Sequence, residues 1–267
     1  MLYSKKFNHQ IYITKTMKEI KKDEIFSVLE KLTLSAKVLD VGGASGPFKR
    51  ANTIIDYVPY ESINKSQAKG LGEFKLTKES YVSHDICARE PWPFKDKEFD
   101  FSICSHVLED IRDPLWVCSE IIRVSKAGYL EIPSRLYETT FNLEVKGLAG
   151  ASHHRWIIDL DEKKRLRFTF KYMHVHSKVI NKNTTTFNKN NDAMYLCLTW
   201  DTSFSFFENW LNSGKEIFEY YLQKPISEEN LWGLYRSIGS RSFIVEWLSY
   251  LKNTNNSFKK IYNVLKK

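Results

Sequence analysis

The sequence predicts an α/β fold: a mostly parallel sheet with helices on both faces, carrying an antiparallel and helical C-terminal extension. Three observations predict it. Short apolar runs suited to buried strands alternate with helical patterns over residues 36–135, as strand–helix–strand units do. A glycine-rich turn follows the first of these strands, in KVLDVGGASGPF at 37–48. The polar clusters with chemical potential fall at strand ends, where open parallel sheets hold their ligands.

Each element has its own reason. Residues 17–34 carry Ile25, Val28, Leu29 and Leu32 at helical spacing. The KVLDV run (37–41) reads as a short buried strand, TIID (53–56) as a second, YVSHDI (81–86) as a third and EFDFSICS (98–105) as a fourth. In RDPLWVCSEIIRV, Asp113 is a good N-cap, Pro114 fits the first helical position, and Leu115, Cys118 and Ile122 form an apolar stripe. YLEIPS (129–134) is the fifth strand. A strand is expected at 165–172, with AMYLCLTWDTSFSFFENWL pairing antiparallel to it. Helices are expected at 205–222 and 228–251, a short basic amphipathic helix at the C-terminal tail, and a mobile loop at 181–192. The organisation is then an N-terminal helical segment (1–35), a core (36–180) and an aromatic-rich extension (181–267) packed on that core.

Composition narrows the function. No apolar run reaches the ~20 residues needed to span a bilayer, and the N-terminal stretch lacks the apolar centre of a signal peptide. Cys87, Cys104, Cys118 and Cys197 show neither paired nor metal-ligand spacing, which suits reduced thiols in the cytoplasm. A net charge of +8 admits an acidic partner, although lysines scattered through a Lys- and Asn-rich chain usually form a solvated face.

The turn selects its ligand by elimination. A phosphate-binding P-loop needs Lys and then Ser or Thr after its last glycine, but Pro47 and Phe48 follow Gly46. A dinucleotide turn wants a third glycine that Gly42-Gly43-Ala44-Ser45-Gly46 lacks. Asp56, ending the second strand, suits ribose hydroxyls. Asp85, ending the third, suits an adenine amine, with Ile86 against the ring. Asp40, Asp56 and Asp85 around one turn would repel a pyrophosphate yet tolerate a sulfonium. This favours S-adenosylmethionine.

The order VLDVGGASGPF, ANTIIDYVPYES, HDICAREPWPFKDKEFDFSICSHVLEDIRDP and EIIRVSKAGYLEIPS resembles a class I S-adenosylmethionine-dependent methyltransferase of the type-11 kind. The likeness covers residues 36–135 and implies a Rossmann-like core. It implies a cofactor site of Asp40, Gly42, Gly43, Ala44, Gly46, Asp56, Asp85, Ile86, Ser105 and His106, with S-adenosyl-L-homocysteine as product. HHRWIID (153–159) is similar to a stretch in methyltransferases of surface-polysaccharide and capsule biosynthesis. Three departures stand out: Ala44 stands where the turn's middle glycine is usual, Asp110 occupies a position that tends to be His, and only residues 47–52 separate the turn from the second strand. That leaves room for a single helical turn.

The resemblance places residues after the fifth strand over the acceptor. His154 is the leading candidate base, with His106 and His153 behind it. Glu109 and Asp110 read as helix-start acids, Trp92 as core, and His174 and His176 as one face of a strand. Lys163, Lys164, Arg165, Arg167 and Lys171 offer a grip for a phosphorylated acceptor. No His/Asp spacing demands a metal, and none is expected. The expected reaction is O-methylation of a glycan, a nucleotide-sugar or another small anionic acceptor. Behind it stand an N- or phosphoramidate methyltransferase, an RNA methyltransferase (nucleic acid being a poor match without a stacking groove) and a non-catalytic cofactor-binding protein.

Overall fold

The computed structural model describes residues 17–140, 143–145, 147–176, 192–223, 225 and 227. The chain divides into two compact units, Met1–Lys171 with Thr185–Trp210, and Tyr172–Thr184 with Leu211–Lys267.

The first unit is built on a seven-stranded sheet. Its strands, with those of a smaller sheet, are β1 (Lys18–Glu19), β2 (Val38–Val41), β3 (Thr53–Asp56), β4 (Tyr81–Ser83), β5 (Phe101–Ser105), β6 (Ala127–Pro133), β7 (Trp156–Leu160), β8 (Leu166–Phe170), β9 (Tyr195–Asp201) and β10 (Phe206–Glu208). The large sheet runs β1-β9-β6-β5-β2-β3-β4. From β6 to β4 every pairing is parallel, while β9 joins β6 antiparallel and β1 joins β9 antiparallel. This is the Rossmann-like α/β arrangement. The smaller sheet runs β10-β8-β7, with β7 and β8 antiparallel and β10 parallel to β8.

Alternation along the strands builds a core on each face. Val38, Phe101, Ile103, Tyr129 and Cys197 face Ile25 and Leu29 of α1 (Glu24–Glu30). On the opposite face Leu39, Val41, Cys104, Leu130 and Leu198 pack with Val117, Cys118 and Ile121 of α2 (Pro114–Val124), and with Ile158 and Phe168 of the small sheet. Each fully buried aliphatic side chain contributes about 1.5–3 kcal/mol. The start of α2 follows from its sequence: Asp113 accepts from Trp116 N at 3.1 Å and Pro114 opens the helix. Such a cap is worth about 1 kcal/mol.

The Pro91–Phe94 loop has a structural task. Glu120 accepts from Trp92 N at 2.7 Å, and Arg123 donates to the carbonyls of Trp92 and Phe94. Buried Trp92 in turn donates from its indole to Ile86 O at 3.1 Å. A charged pair on α2 thereby fixes the chain that follows β4. All four cysteines are free and buried, and burial pushes each thiol above its ordinary value.

Several expectations need correction. Where periodicity predicts one helix over 17–34, Lys18–Glu19 pairs with Thr199 and Leu198, and only Glu24–Glu30 is helical. The chain at 195–201 pairs with β6 of the main sheet, not with β8. Within 205–222 the first part is β10, and the helix is α4 (Gly214–Leu222). Met173–His176 is a 3-10 turn, so His174 and His176 do not alternate on a strand. The expected helix at 228–251, the tail helix and nearly all of the 181–192 loop lie outside the described residues.

In the second unit, Ser213 caps α4 by accepting from Glu216 N at 3.2 Å, and Tyr172 N donates to Tyr221 OH at 2.8 Å. Among the described residues no helix is long and apolar enough to cross a membrane.

Gly128 tests the packing of the sheet. A Cβ there would lie 2.5 Å from Ser102 O and 2.7 Å from the Trp200 indole nitrogen. Gly128→Ala therefore forces β5, β6 and β9 to adjust, and overpacking of this kind costs about 1–3 kcal/mol. The expected readout is a lower urea midpoint with an unchanged slope. An unchanged midpoint would mean that the strands yield freely.

Candidate active site

The glycine turn owes its shape to two strand-end carboxylates. Gly42 sits at φ +69° and donates to Ile55 O at 2.8 Å. A side chain at Gly42 would meet Val107 Cγ2 at 2.5 Å, so both backbone and space require glycine. Residues 43–45 make a single 3-10 turn, the short connection that six intervening residues imply. Ala44 N donates to Asp56 Oδ2 at 3.0 Å, and Phe48 N donates to Asp40 Oδ2 at 2.8 Å. Asp40 is buried, and burial pushes its carboxyl up to about 7 against the opposing pulls of Phe48 N and Lys69. A Cβ at Gly43 would lie 2.4 Å from that carboxyl.

A cavity of about 760 Å³ opens at the carboxyl ends of β2, β3, β4 and β5. Gly42, Ala44, Asp56, Asp85, Ile86 and Val107 are among the residues that line it. Asp85 is half-exposed; its Oδ2 accepts from Arg112 at 2.6 Å and its Oδ1 from Cys87 N at 3.0 Å. The hydrogen bond from Arg112 is the chief reason its carboxyl lies below the ordinary range. Ser105 accepts from Lys69 Nζ at 3.3 Å beside Gly46, in a smaller adjoining hollow.

His106 takes a left-handed backbone at φ +56° as the chain leaves β5. That turn aims its ring between two buried acids, with Nε2 2.8 Å from Glu131 and Nδ1 3.4 Å from Glu109. Burial disfavours its charged form, but the hydrogen bonds to Glu109 and Glu131 outweigh burial and raise its pKa. For Glu131 burial pushes upward, yet His106 and Lys22 win and hold it down at about 2.

The far end of the cavity is assembled from distant sequence. Arg155 N and Trp156 N donate to Glu109 O at 2.7 and 3.1 Å, and the Trp156 indole donates to Ile111 O at 2.9 Å. These bonds bring Arg155 into the cavity lining with Asp110. His154 is largely buried, its Nδ1 2.5 Å from Glu138 of α3 (Arg135–Thr139), and Glu138 also accepts from Lys171 Nζ at 2.6 Å. Burial opposes protonation of His154, but Glu138, Glu109 and Asp110 outweigh it and raise the pKa. His153 is mostly exposed, with Nε2 3.8 Å from Asp110. Asp110 does not begin a helix, because α2 starts only at Pro114.

Residues 39–130 match the family model for a methyltransferase domain. The core is a class I, S-adenosylmethionine-dependent methyltransferase domain. Solved structures with some likeness include a Bacillus halodurans protein assigned as a methyltransferase (19% identity, 41% of this chain and 51% of that one, TM-score 0.28). Others are an arsenic(III) S-adenosylmethionine methyltransferase of Chlamydomonas reinhardtii (20%, 37% and 39%, 0.28) and an S-adenosylmethionine-dependent methyltransferase of Mesorhizobium loti (12%, 55% and 64%, 0.29). The chain thus spans between 39% and 64% of these proteins' lengths. TM-scores this low carry no conclusion of their own. No curated protein sequence matches the chain.

The methyltransferase domain's cavity fits its cofactor. Its lining combines the carboxylates of Asp56 and Asp85 with the apolar side chains of Ile86 and Val107, which suits a cationic nucleoside without phosphate. The fold gathers Gly42, Ala44, Asp56, Asp85, Ile86 and His106 around that cavity, and Asp40, Gly43, Gly46 and Ser105 around the hollow beside it. Sequence reading passed over Lys69, Glu131, Glu138 and Arg155. An acid inside a buried-type strand, Glu131 in YLEIPS, is the one local signal. The basic stretch is mostly committed internally: Arg165 to Asp161, Arg167 to Asp159, Lys164 to Glu19 and Lys171 to Glu138.

The Asp40 carboxyl sets a pH test. Its folded pKa of about 7 stands above the ordinary 3.8, so its protonated form stabilises the fold at low pH. That contribution is complete below about pH 4 and is lost as pH rises through about 7. Asp40→Asn removes this titration while keeping an acceptor for Phe48 N. Urea denaturation between about pH 5 and 8 should therefore show the variant gaining on the natural protein as pH rises. Parallel curves would mean that Asp40 is ionised throughout.

Proposed function

We propose that this protein transfers the methyl group of S-adenosylmethionine to a hydroxyl of a small anionic acceptor in the cytoplasm. A glycan or nucleotide-sugar of surface-polysaccharide biosynthesis is the acceptor class that the HHRWIID resemblance suggests. One observation carries the reading. A single cavity is lined both by the carboxylates suited to the cofactor, Asp56 and Asp85, and by Arg155 and Asp110, and His153 and His154 stand next to that Asp110.

Bound S-adenosylmethionine supplies a methyl group on a positively charged sulfur, so alignment of the acceptor does much of the catalytic work. Arg155 lines the cavity with no ion-pair partner among the described residues. Its guanidinium is suited to a carboxylate or phosphate on the acceptor. Loss of the acceptor's hydroxyl proton is assigned to the cluster centred on His154, which Glu138 holds from behind. His106, gripped by Glu109 and Glu131, is assigned to the wall beside the cofactor.

Calorimetry tests the cofactor first. S-adenosylhomocysteine and S-adenosylmethionine should bind at about micromolar strength, and NAD and ATP should not. Asp85→Ala should weaken S-adenosylhomocysteine by about tenfold, the loss of one charge-assisted hydrogen bond. His154→Ala should leave that affinity in place. With nucleotide-sugar acceptors and S-adenosylhomocysteine release as the readout, it should lower kcat by about 10²–10⁴. Firm NAD binding without S-adenosylhomocysteine binding would overturn the reading.

A further inference from the structure

We propose that Asp110, His153 and His154 bind one divalent transition-metal cation at the acceptor end of the cavity, with Zn²⁺ the best match to the donor set. One donor atom from each residue lies within 4.8 Å of the other two. Asp110 Oδ1 is 3.8 Å from His153 Nε2 and 3.7 Å from His154 Nε2. Both separations are too long for hydrogen bonds. Two ligands bound to one zinc at about 2.0–2.2 Å and a tetrahedral angle stand about 3.4 Å apart. The two Asp110–histidine separations exceed this by only a few tenths of an ångström, and a side-chain rotation of exposed His153 would bring its donor, within 4.8 Å of that of His154, to the same spacing.

The surroundings favour a cation. Asp110 Oδ1 is buried and has no hydrogen-bond partner among the described residues. Glu109, Glu138 and Glu144 add three further carboxylates around the two imidazoles, Glu144 at 3.7 Å from His153 Nδ1. Lys171 is engaged on Glu138.

The support behind the ligands is also that of a metal centre. Glu138 is fully buried and holds His154 Nδ1, which leaves Nε2 turned to Asp110. A carboxylate behind a ligating histidine fixes its tautomer and raises its basicity. Two imidazoles and one carboxylate match zinc sites that keep an open position for a substrate or water. Asp110 lines the cavity, so the ion would act as a Lewis acid that lowers the pKa of an acceptor hydroxyl, whose proton passes to solvent; His154 would then serve that proton loss as a ligand of the ion, not by taking the proton itself. That role rests on the methyl-transfer reading; the binding of the cation does not.

The test uses the full chain, stripped with a chelator and titrated with Co²⁺ and then Zn²⁺. One Co²⁺ per chain should bind with visible d–d bands and no thiolate charge-transfer band, and Zn²⁺ should displace it. Asp110→Asn and His153→Ala should each weaken binding by at least about tenfold. His153 is exposed enough for its variant to keep the fold, and His84→Ala, elsewhere in the cavity, should leave binding unchanged. Absence of stoichiometric Co²⁺, a thiolate band, or indifference to both ligand variants would overturn the site. S-adenosylhomocysteine titrated into the same samples separates the two claims. Nucleoside bound without metal defeats the cation alone; metal bound without nucleoside defeats the methyltransferase reading and leaves the cation site standing.

Discussion

Two buried hydrogen bonds, Ala44 N to Asp56 and Phe48 N to Asp40, hold the turn on which the Gly42–Asp56 end of the cavity depends. Parallel folds of this class commonly present a helix N-terminus at this point. Six residues between turn and strand leave no room for one here, and carboxylates take over the positioning. Asp56 is thus partly spent on the protein's own backbone, while its place at the end of β3 keeps it on the cavity wall. Asp40 can lie buried beneath the turn because its raised pKa relieves it of charge near neutrality.

Buried acids elsewhere in the site reach the opposite result. Glu131 stays charged because His106 and Lys22 meet it; Glu138, also buried, has His154 and Lys171 as its ion-pair partners. Burial alone would push the Asp40 and Glu131 carboxyls up. What differs is whether a cationic side chain is delivered to each by another element. The chain from His153 to Trp156, tied to Glu109 O and Ile111 O, makes that delivery for Glu138. Fold and site electrostatics are therefore one arrangement.

Much of this was legible wherever the determinants are local. The β2 turn, the Asp113-Pro114 helix start and the five parallel strands each lie within a dozen residues of their own signals. Pairings between distant segments were not. The run at 195–201 alternates as well for one partner as for another, and only the open edge of β6 decided it. Phe206–Glu208 reads as aromatic helix until β8 offers it a parallel edge. Asp110 looked like a helix-start acid because nothing in its neighbourhood shows that His153 and His154 fold back onto it across more than forty residues. His154 stands out in sequence through the family resemblance of the segment after the fifth strand, but its buried partner Glu138 carries no mark there.

The four buried cysteines make the molecule a sensor of its own integrity. Cys104 on β5 and Cys118 on α2 share one core, each almost wholly shielded from solvent. Their thiols stay protonated, and a protonated, enclosed sulfur is a poor nucleophile. An alkylating reagent can reach them only in moments when helix and sheet part. The rate of that chemistry therefore counts openings of the central layer, with no label or probe added to the chain.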